Sequence, residues 1–301
     1  MIIRMKVALV RKLRKENVKK VRDCGVEITD GYDADAVLVD FEFKDFEKYK
    51  NLRWIHTSNV GVNLLLTDEV KKSGVVITNS RGMRTTVPEH VLAMMLAYER
   101  NLKPAFEAQK ARRWERFNAG ELHGKTVGIL GLGKIGTELA RLCKSLGCKV
   151  YGMNRTGGCR YADKIFRPCD FRSLLRQSDY VVICLPLTAE TRHIIGKKEF
   201  MCMKRSAVIV NIGRGPVIDE KALVETLKKG GIAGACLDVF EEEPLSKSSP
   251  LWGMENVIMT CHYSAWNPHY EDRMIELFCK NLEAFLKGKR LMNVIDKEKG
   301  Y

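Results

Sequence analysis

The sequence lacks any apolar run of the ~20 residues that a transmembrane helix needs. Its apolar stretches, such as residues 91–98 and 180–187, are much shorter. The N-terminal apolar run is interrupted by charge, and no small-residue cleavage site follows it, so it predicts a first strand rather than a signal peptide. We therefore expect a cytoplasmic protein with no membrane partner.

Cysteine pairs are also missing. None of the ten cysteines forms a CxxC motif, and His and Cys do not occur at the short spacings of a zinc site. Cys184 and Cys236 lie inside apolar runs, which is typical of small core residues in a reducing compartment. The sequence therefore predicts neither a disulfide framework nor a bound metal.

Acidic residues are scarce relative to basic ones. Asp and Glu number 37 against 51 Lys and Arg, which gives a formal net charge of +14. This excess can attract an anionic cofactor and a carboxylate substrate, or it can be a solvated, lysine-rich surface. Because no motif that reads a nucleic-acid groove accompanies it, we expect no nucleic-acid partner.

Strand-like and helix-like segments alternate through almost the whole chain, which predicts α/β architecture with two open parallel-sheet domains. Strands are expected at residues 6–10, 36–40, 54–57, 75–78, 126–130, 149–152, 180–185, 207–211, 234–238 and 257–261. Helices are expected at residues 12–23 and 64–72, from residue 87, over the exposed segment 101–120, after a cap at Asp219 and at residues 271–286. The last helix can return to the first domain, so the predicted domains are residues 1–95 plus 270–301 and residues 96–269.

A GxGxxG motif stands between an apolar run at 127–130 and an amphipathic segment, and strand 149–152 completes a βαβ unit. Its residues are Gly131, Gly133, Lys134, Ile135 and Gly136. In such a unit the glycines allow a tight turn, and backbone N–H groups approach a pyrophosphate at the start of the helix. This context favours a Rossmann dinucleotide-binding domain over a simple glycine turn.

The end of the second strand of this unit carries no acidic residue to hold the ribose 2′-hydroxyl of NAD. The strand is followed instead by Asn154, Arg155 and Thr156. Arg155 can pair with a 2′-phosphate, and its two neighbours can hydrogen-bond it. We therefore expect NADP(H) to be preferred and NAD(H) to be possible. The alternative is that Arg155 faces solvent and an acidic residue elsewhere holds the ribose.

Ionisable side chains follow three strands of the second predicted sheet. They are Arg214 after strand 207–211, one of the three glutamates 241–243 after strand 234–238, and His262 after strand 257–261. Ligands of open parallel sheets bind outside the carboxyl ends of the strands, so these groups should converge. An arginine can grip a carboxylate and polarise a keto oxygen, while a histidine supported by a carboxylate gives a proton. The set suits reduction of a small 2-keto acid to the 2-hydroxy acid.

These motifs resemble those of the D-2-hydroxyacid dehydrogenase family. The resemblance extends from residue 56 to residue 266, through SNVGVN, GKTVGILGLGKIG, MKRSAVIVNIGRGPVIDEKAL and LDVFEEEPL. It implies a flavodoxin-like substrate domain, a Rossmann nucleotide-binding domain and a homodimer formed through the latter. The segment at 154–155 resembles that of the members that use NADP, which include many glyoxylate and hydroxypyruvate reductases.

The resemblance also implies roles for individual residues. For catalysis it implies a triad of Arg214, Glu243 and His262. For the substrate carboxylate it implies the backbone of Val60 and Gly61, together with Arg214. For the cofactor it implies, besides the glycine motif and residues 154–156, contacts from Pro186, Thr191, Ile212, Asp238 and His262.

Three departures from the common family pattern leave the substrate open: Arg81 and Cys261 stand where prolines are usual, and residues 263–266 replace a glycine-rich stretch. One alternative is therefore a phosphoglycerate dehydrogenase-like enzyme, with Arg53, Arg81 or Arg84 in a phosphate pocket. Another is a non-enzymatic NAD(P)-sensing protein that resembles corepressors.

The remaining histidines have simpler interpretations. His56 ends a strand and is expected to be packed rather than to touch substrate, and His90 is expected to be structural within a helix. His123, His193 and His269 are expected on the surface.

Overall fold

The computed structural model describes residues 4–40, 43–80, 85–155 and 157–300. The first part of the chain contains β1 (Lys6–Leu9), α1 (Lys15–Asp23), β2 (Glu27–Thr29), β3 (Ala36–Val39), β4 (Trp54–Thr57), α2 (Asp68–Lys72), β5 (Val76–Asn79), α3 (Thr86–Glu99) and α4 (Leu102–Lys110). The second part contains β6 (Thr126–Leu130), α5 (Lys134–Ser145), β7 (Lys149–Met153), β8 (Lys164–Phe166), α6 (Phe171–Gln177), β9 (Tyr180–Ile183), α7 (Lys197–Phe200), β10 (Val208–Asn211), α8 (Glu220–Lys228), β11 (Gly234–Leu237), β12 (Val257–Met259) and α9 (Tyr270–Leu286). The chain divides into two compact units, Met1–Met83 with Asn267–Tyr301, and Arg84–Trp266.

The first unit contains a five-stranded sheet in the order β2-β1-β3-β4-β5, and every neighbouring pair is parallel. This is the strand order of flavodoxin-like folds. Alternate residues of β3 belong to two different buried clusters, Ala36 and Leu38 to one and Val37 and Val39 to the other. Because side chains of a strand point alternately to opposite faces, the sheet is covered by apolar groups on both faces.

Helix α9 covers one of these faces. The Trp54 ring of β4 stacks on Phe278 of α9 with centroids 5.1 Å apart. At the start of α9, the Glu271 carboxylate accepts the backbone N–H of Arg14 at 2.9 Å and the side-chain amide of Asn17 at 2.7 Å. The C-terminal helix is therefore part of the first unit through both an apolar face and a polar end.

The second unit contains a seven-stranded sheet in the order β12-β11-β10-β9-β6-β7-β8, again with parallel neighbours. The strand order reverses between β6 and β9, which is where ligands bind in Rossmann folds. All residues of β6, β9, β10 and β11 are buried, because helices cover both faces of the sheet. The predicted fold class, a flavodoxin-like sheet and a Rossmann sheet, is confirmed.

The expectation of one exposed helix over residues 101–120 is wrong. Helix α4 ends at Lys110, Arg112 takes a left-handed backbone conformation with φ 54°, and residues 113–120 form an exposed irregular segment. The backbone N–H of Gly120 donates to the carbonyl oxygen of Glu99 at 2.9 Å, so this segment returns along the end of α3. The charge pattern of an exposed helix and that of an exposed extended segment are alike, so the sequence pattern did not separate them.

The predicted boundary at residue 95 falls within α3. The structure assigns all of α3 to the second unit, because Val91, Met94 and Met95 pack in one cluster with Val127 and Leu139. Helix α2 is also shorter than the predicted 64–72, since it begins only after Thr67, whose side chain accepts the Val70 N–H at 3.4 Å. In the part of the chain that the structure describes, no helix has the length and apolar character needed to cross a membrane.

Candidate active site

The glycine loop joins β6 to α5 at the reversal of strand order. Gly131 has φ +103°, a backbone conformation that residues other than glycine rarely adopt, and it makes the tight turn that the motif predicts. A Cβ on Gly136 would lie 2.1 Å from the carbonyl oxygen of Gly131, so the third glycine lets the helix pack closely on the loop. A Cβ on Gly133 would meet nothing within 4 Å. The loop therefore leaves open space at the start of α5, beside the exposed Lys134.

A second loop follows β7. The Asn154 side chain accepts the N–H of Gly157 at 2.6 Å and donates to the carbonyl oxygen of Gly158 at 3.1 Å, so it holds the loop in a turn. Arg155 is exposed and its guanidinium forms an ion pair with the Glu190 carboxylate. Glu190 could not be predicted as the partner of Arg155, because it lies 35 residues away along the chain. Thr156 lies outside the described residues.

The segment after β9 is held by one hydroxyl group. Thr191 is buried, its Oγ1 donates to the carbonyl oxygen of Pro186 at 2.6 Å, and it accepts the N–H of Thr188 at 2.8 Å. Pro186 itself is exposed, and Ile212, directly after β10, is 8% exposed. In this structure Thr191 shapes the loop that carries Pro186 and Glu190.

His262 and Glu243 are in direct contact. His262 Nδ1 lies 2.6 Å from Glu243 Oε2, and Glu243 Oε1 accepts the backbone N–H of Phe240 at 3.0 Å. Partial burial by itself raises the pKa of Glu243. The His262 hydrogen bond, the Phe240 N–H and the positive charges of His262 and Arg214 outweigh burial, and the pKa of Glu243 is lowered. The carboxylate is therefore held in its ionised form.

Arg214 follows β10 in an extended conformation. Its carbonyl oxygen accepts the Asn211 side-chain amide at 3.0 Å, and its Nη1 donates to the carbonyl oxygen of Gly213 at 2.7 Å. Burial lowers the pKa of Arg214, and the negative charge of Glu243 acts in the opposite direction. A partly desolvated guanidinium therefore lies within electrostatic reach of the carboxylate that holds His262.

Asp238, at the end of β11, is completely buried. Its carboxylate accepts the backbone N–H groups of Tyr263 and Ser264, each at 3.1 Å, and the hydroxyl of Thr260 at 2.6 Å. No role for Thr260 could be predicted, because nothing in the local sequence pattern links it to Asp238. The expected contact of Asp238 with the nicotinamide stays a prediction.

Val60 and Gly61 belong to the first unit and follow β4. The Val60 carbonyl oxygen accepts the side-chain amide of Asn79 at 2.5 Å, which ties the loop to the end of β5. Within the described ranges, the backbone N–H groups of Val60 and Gly61 make no hydrogen bond. Two adjacent amide donors in a half-buried loop form a suitable site for a carboxylate.

His56, in β4, is fully buried between Thr78 Oγ1 at 2.7 Å and Ser80 Oγ at 3.1 Å. Burial lowers the pKa of His56 to about 3, so the ring is neutral. The expectation that His56 is packed is confirmed. Over the residues that the structure describes, no group of three or more His, Cys, Asp or Glu side chains could hold a metal ion.

Comparison with known proteins identifies the family. A model of the D-isomer specific 2-hydroxyacid dehydrogenase NAD-binding domain matches residues 92–264. The chain is 35% identical over 297 residues to a glyoxylate reductase from Thermofilum pendens, and the match covers 95% of this chain and 85% of the relative. The chain belongs to the D-isomer specific 2-hydroxyacid dehydrogenase family.

Two further relatives bear on the substrate and the cofactor. A D-3-phosphoglycerate dehydrogenase from Methanocaldococcus jannaschii is 32% identical over 318 residues, with 97% of this chain and 59% of that protein covered. A similar solved structure is that of an NADPH-dependent glyoxylate/hydroxypyruvate reductase from Sinorhizobium meliloti in complex with NADP and sulfate. Its sequence is 28% identical to this one, and the TM-score is 0.87 with 99% of this chain and all of that chain covered. As a member of this dehydrogenase family, the protein is an NAD(P)-dependent oxidoreductase that acts on CH–OH groups.

The glycine loop fits the dinucleotide of this family. The open space at Gly133 and the close packing at Gly136 leave room for a pyrophosphate to approach the backbone at the start of α5. The start of a 12-residue helix adds a favourable field for negative charge. The second unit therefore carries the elements that a 2-hydroxyacid dehydrogenase needs to hold NAD(P).

Proposed function

We propose that this protein reduces a small 2-keto acid, such as glyoxylate or hydroxypyruvate, and prefers NADPH to NADH. The observation that carries the proposal is the 2.6 Å contact between His262 Nδ1 and Glu243 Oε2, within reach of the Arg214 charge. An imidazole oriented by a carboxylate is the arrangement of a general acid that protonates a developing alkoxide. The nearby guanidinium suits an anionic substrate.

Each of these side chains has a role in the proposed reaction. Glu243 orients the His262 ring by accepting a hydrogen bond from Nδ1–H. The proton on Nε2 of the protonated ring is therefore the one delivered to the keto oxygen. Arg214 binds the substrate carboxylate and polarises the keto group. Reduced nicotinamide, when bound, supplies the hydride that adds to the keto carbon. Proton and hydride together convert the keto acid to the 2-hydroxy acid.

The first unit contributes the loop at Val60 and Gly61. Their two N–H groups, which have no hydrogen bond in the described part of the chain, would donate hydrogen bonds to the carboxylate oxygens of the substrate. Backbone donors suit a small substrate because they recognise the carboxylate and leave the remainder of the molecule unspecified. This fits the short carbon chains of glyoxylate and hydroxypyruvate.

The cofactor preference rests on the loop after β7. The Arg155 side chain already pairs with an anionic group, the Glu190 carboxylate, so its guanidinium is available to a second anion that displaces Glu190. A ribose 2′-phosphate carries more negative charge than a carboxylate and would bind this guanidinium bidentately. The related Sinorhizobium meliloti reductase is described in complex with NADP, which agrees with this assignment.

Steady-state kinetics test the proposal directly. We would measure kcat/KM for glyoxylate, hydroxypyruvate and phosphohydroxypyruvate with NADPH and with NADH. The expected result is the highest kcat/KM for one of the first two substrates with NADPH. NADPH binding without turnover of any keto acid would favour the corepressor-like alternative, and turnover restricted to phosphohydroxypyruvate would favour the phosphoglycerate dehydrogenase alternative.

The phosphoglycerate dehydrogenase alternative has less support. Arg53 precedes β4 and therefore lies at the amino end of that strand, opposite to the end that carries the loop at Val60. Its guanidinium lies over the Phe285 ring, 5.1 Å from the centroid, and near Asp35. Arg81 and Arg84 lie outside the described residues. Of the three arginines proposed for a phosphate pocket, the one that the structure describes therefore lies at the wrong end of the sheet.

We also propose a cytoplasmic homodimer that forms through the second unit. Apolar side chains are exposed along one segment of this unit; they include Leu102, Phe106 (55% exposed) and Trp114 (95% exposed). A second copy of the chain would bury them. In light scattering, Phe106→Asp should give a monomer, whereas Leu146→Asp, at an exposed leucine elsewhere in the unit, should stay a dimer. A wild-type monomer would rule out this assembly.

A further inference from the structure

The turn that carries His262 has an unusual backbone. His262 has φ 52°, the left-handed region that side chains other than glycine rarely adopt. Its own N–H donates to the carbonyl oxygen of Asp238 at 2.8 Å. A histidine in this conformation needs neighbours that determine the turn, because the local sequence does not favour it.

Asp238 supplies most of that restraint. Three consecutive backbone N–H groups, those of His262, Tyr263 and Ser264, all donate to Asp238, the first to its carbonyl oxygen and the other two to its carboxylate. Two of the three bonds depend on the orientation of the buried Asp238 carboxylate, which therefore restrains the turn. Whatever holds this carboxylate also holds the direction of the His262 side chain.

Thr260 and His90 hold the carboxylate. The Thr260 hydroxyl donates its one proton to Asp238 Oδ1 at 2.6 Å. Thr260 Oγ1 can therefore only accept a hydrogen bond from any further partner. That partner is His90 Nε2, 2.9 Å from Thr260 Oγ1. The geometry fixes the tautomer of His90: Nε2 carries the proton and donates it. His90 Nε2 is also 3.7 Å from Asp238 Oδ1.

His90 is well placed to be the rigid end of this chain of hydrogen bonds. It lies on α3 between Pro88 and Val91, both of which are buried. Its ring meets the Tyr263 ring edge-on, with centroids 5.2 Å apart. Burial lowers the pKa of His90, and the Asp238 charge only partly opposes this, so the ring stays a neutral donor.

We propose that His90 is a positioning residue for the proton donor: acting through Thr260 and Asp238, it holds the turn that aims His262. The inference rests on the proposed function, since it assigns to His90 an effect on the proton-transfer step. His90 touches neither the substrate nor the cofactor in this assignment. His90 increases the fraction of enzyme molecules in which His262 is aligned for proton transfer.

Two substitutions remove single links of the chain. Thr260→Val removes the hydroxyl and keeps the shape of the side chain, and His90→Phe removes the N–H donor and keeps a ring against Tyr263. We expect each to lower kcat about 10-fold, while the Kd of NADPH, measured by fluorescence titration, stays within threefold. Thr260→Ser keeps the hydroxyl and is the matched control, with kcat expected within threefold of wild type.

The double variant His90→Phe/Thr260→Val distinguishes a chain from two separate structural effects. Residues that act through one network are not additive. The kcat of the double variant should therefore be no more than threefold below that of the less active single variant. Losses that multiply, or a wild-type kcat in both single variants, would overturn the inference.

Amide hydrogen exchange tests the same inference without any substrate. The N–H groups of Tyr263 and Ser264 should exchange at least 10-fold faster in His90→Phe and in Thr260→Val than in wild type or Thr260→Ser, because they lose a fixed acceptor. Unchanged exchange would overturn the positioning role. If the wild-type enzyme reduced no keto acid, the proposed function would fail, and this measurement would still decide on the role of His90.

Discussion

Glu243 connects His262 to the backbone of Phe240: one carboxylate oxygen lies 2.6 Å from His262 Nδ1 and the other accepts the Phe240 N–H at 3.0 Å. A carboxylate held at both oxygens cannot rotate away from the imidazole without losing a hydrogen bond. The lowered pKa of Glu243 keeps it ionised and therefore an acceptor. The pair is thus oriented before any substrate arrives.

If His262 is the proton donor, its replacement should damage turnover far more than binding. We expect His262→Gln to lower kcat with glyoxylate on the order of 10²-fold or more, since general acid catalysis contributes about that much. The control is the Kd of NADPH, which should change far less than kcat because the glycine loop is unchanged. A kcat within threefold of wild type would show that another group supplies the proton.

Two glycines of the loop, Gly133 and Gly136, should respond differently to the same added methyl group. Gly133→Ala meets no atom within 4 Å, so the fold should be unaffected, while the methyl group stands where the pyrophosphate approaches. We expect its melting temperature within 2 °C of wild type, on the order of what a surface change produces, and at least 10-fold weaker binding of both cofactors.

Gly136→Ala is the matched contrast. Its methyl group would lie 2.1 Å from the Gly131 carbonyl oxygen, so the helix must move and the protein should be destabilised. Differential scanning calorimetry separates the two variants. If Gly133→Ala bound cofactor as wild type does, the pyrophosphate would not lie at this loop.

Arg155 and Glu190 should have opposite effects on cofactor choice. Arg155→Ala removes the proposed phosphate partner and should raise the KM of NADPH at least 10-fold while changing that of NADH little. Glu190→Gln removes the carboxylate that now pairs with Arg155, so the KM of NADPH should fall a few-fold. Such a modest gain is what an exposed ion pair provides.

Glu107→Gln is the control for Glu190→Gln, because it makes the same charge change at an exposed pair with Lys110. It should leave both KM values unchanged. Equal effects of Arg155→Ala on NADPH and NADH would show that Arg155 does not recognise the phosphate.

The sequence predicted those features that depend on neighbours along the chain. Buried parallel strands appear as continuous apolar runs, the glycine motif specifies its own turn, and the predicted cap Asp219 is confirmed by its acceptance of the Ala222 N–H at 3.0 Å. The strand-end positions of Arg214 and His262 followed from the same reasoning, since parallel strands end at one edge.

Features that depend on distant partners were not predictable in this way. The choice of Glu243 among three adjacent glutamates came only from the family resemblance. Glu190 meets Arg155 across 35 residues, and Thr260 meets His90 across 170. No local pattern encodes such pairs, because they depend on which loops the sheet brings together.

The buried His56 should make the stability of the first unit depend on pH. Its pKa is about 3 in the folded protein, against about 6.5 in an unfolded chain. As the pH falls below about 6.5, the unfolded chain binds a proton that the folded protein excludes. The free energy of unfolding therefore decreases until the pH approaches 3. Between pH 7 and pH 5 this loss should be about 2 kcal/mol.

His56→Gln separates this effect from the titration of other groups. Glutamine has no titrating side chain and can bond one of the two hydroxyls, so the variant should be less stable at pH 7, where the lost bond dominates. On going from pH 7 to pH 5, the free energy of unfolding should decrease by about 2 kcal/mol less in this variant than in wild type. The free energy of opening, obtained from amide hydrogen exchange in β4 at both pH values, measures this difference. Parallel pH dependence in the two proteins would mean that His56 binds a proton as readily in the folded protein as in the unfolded chain.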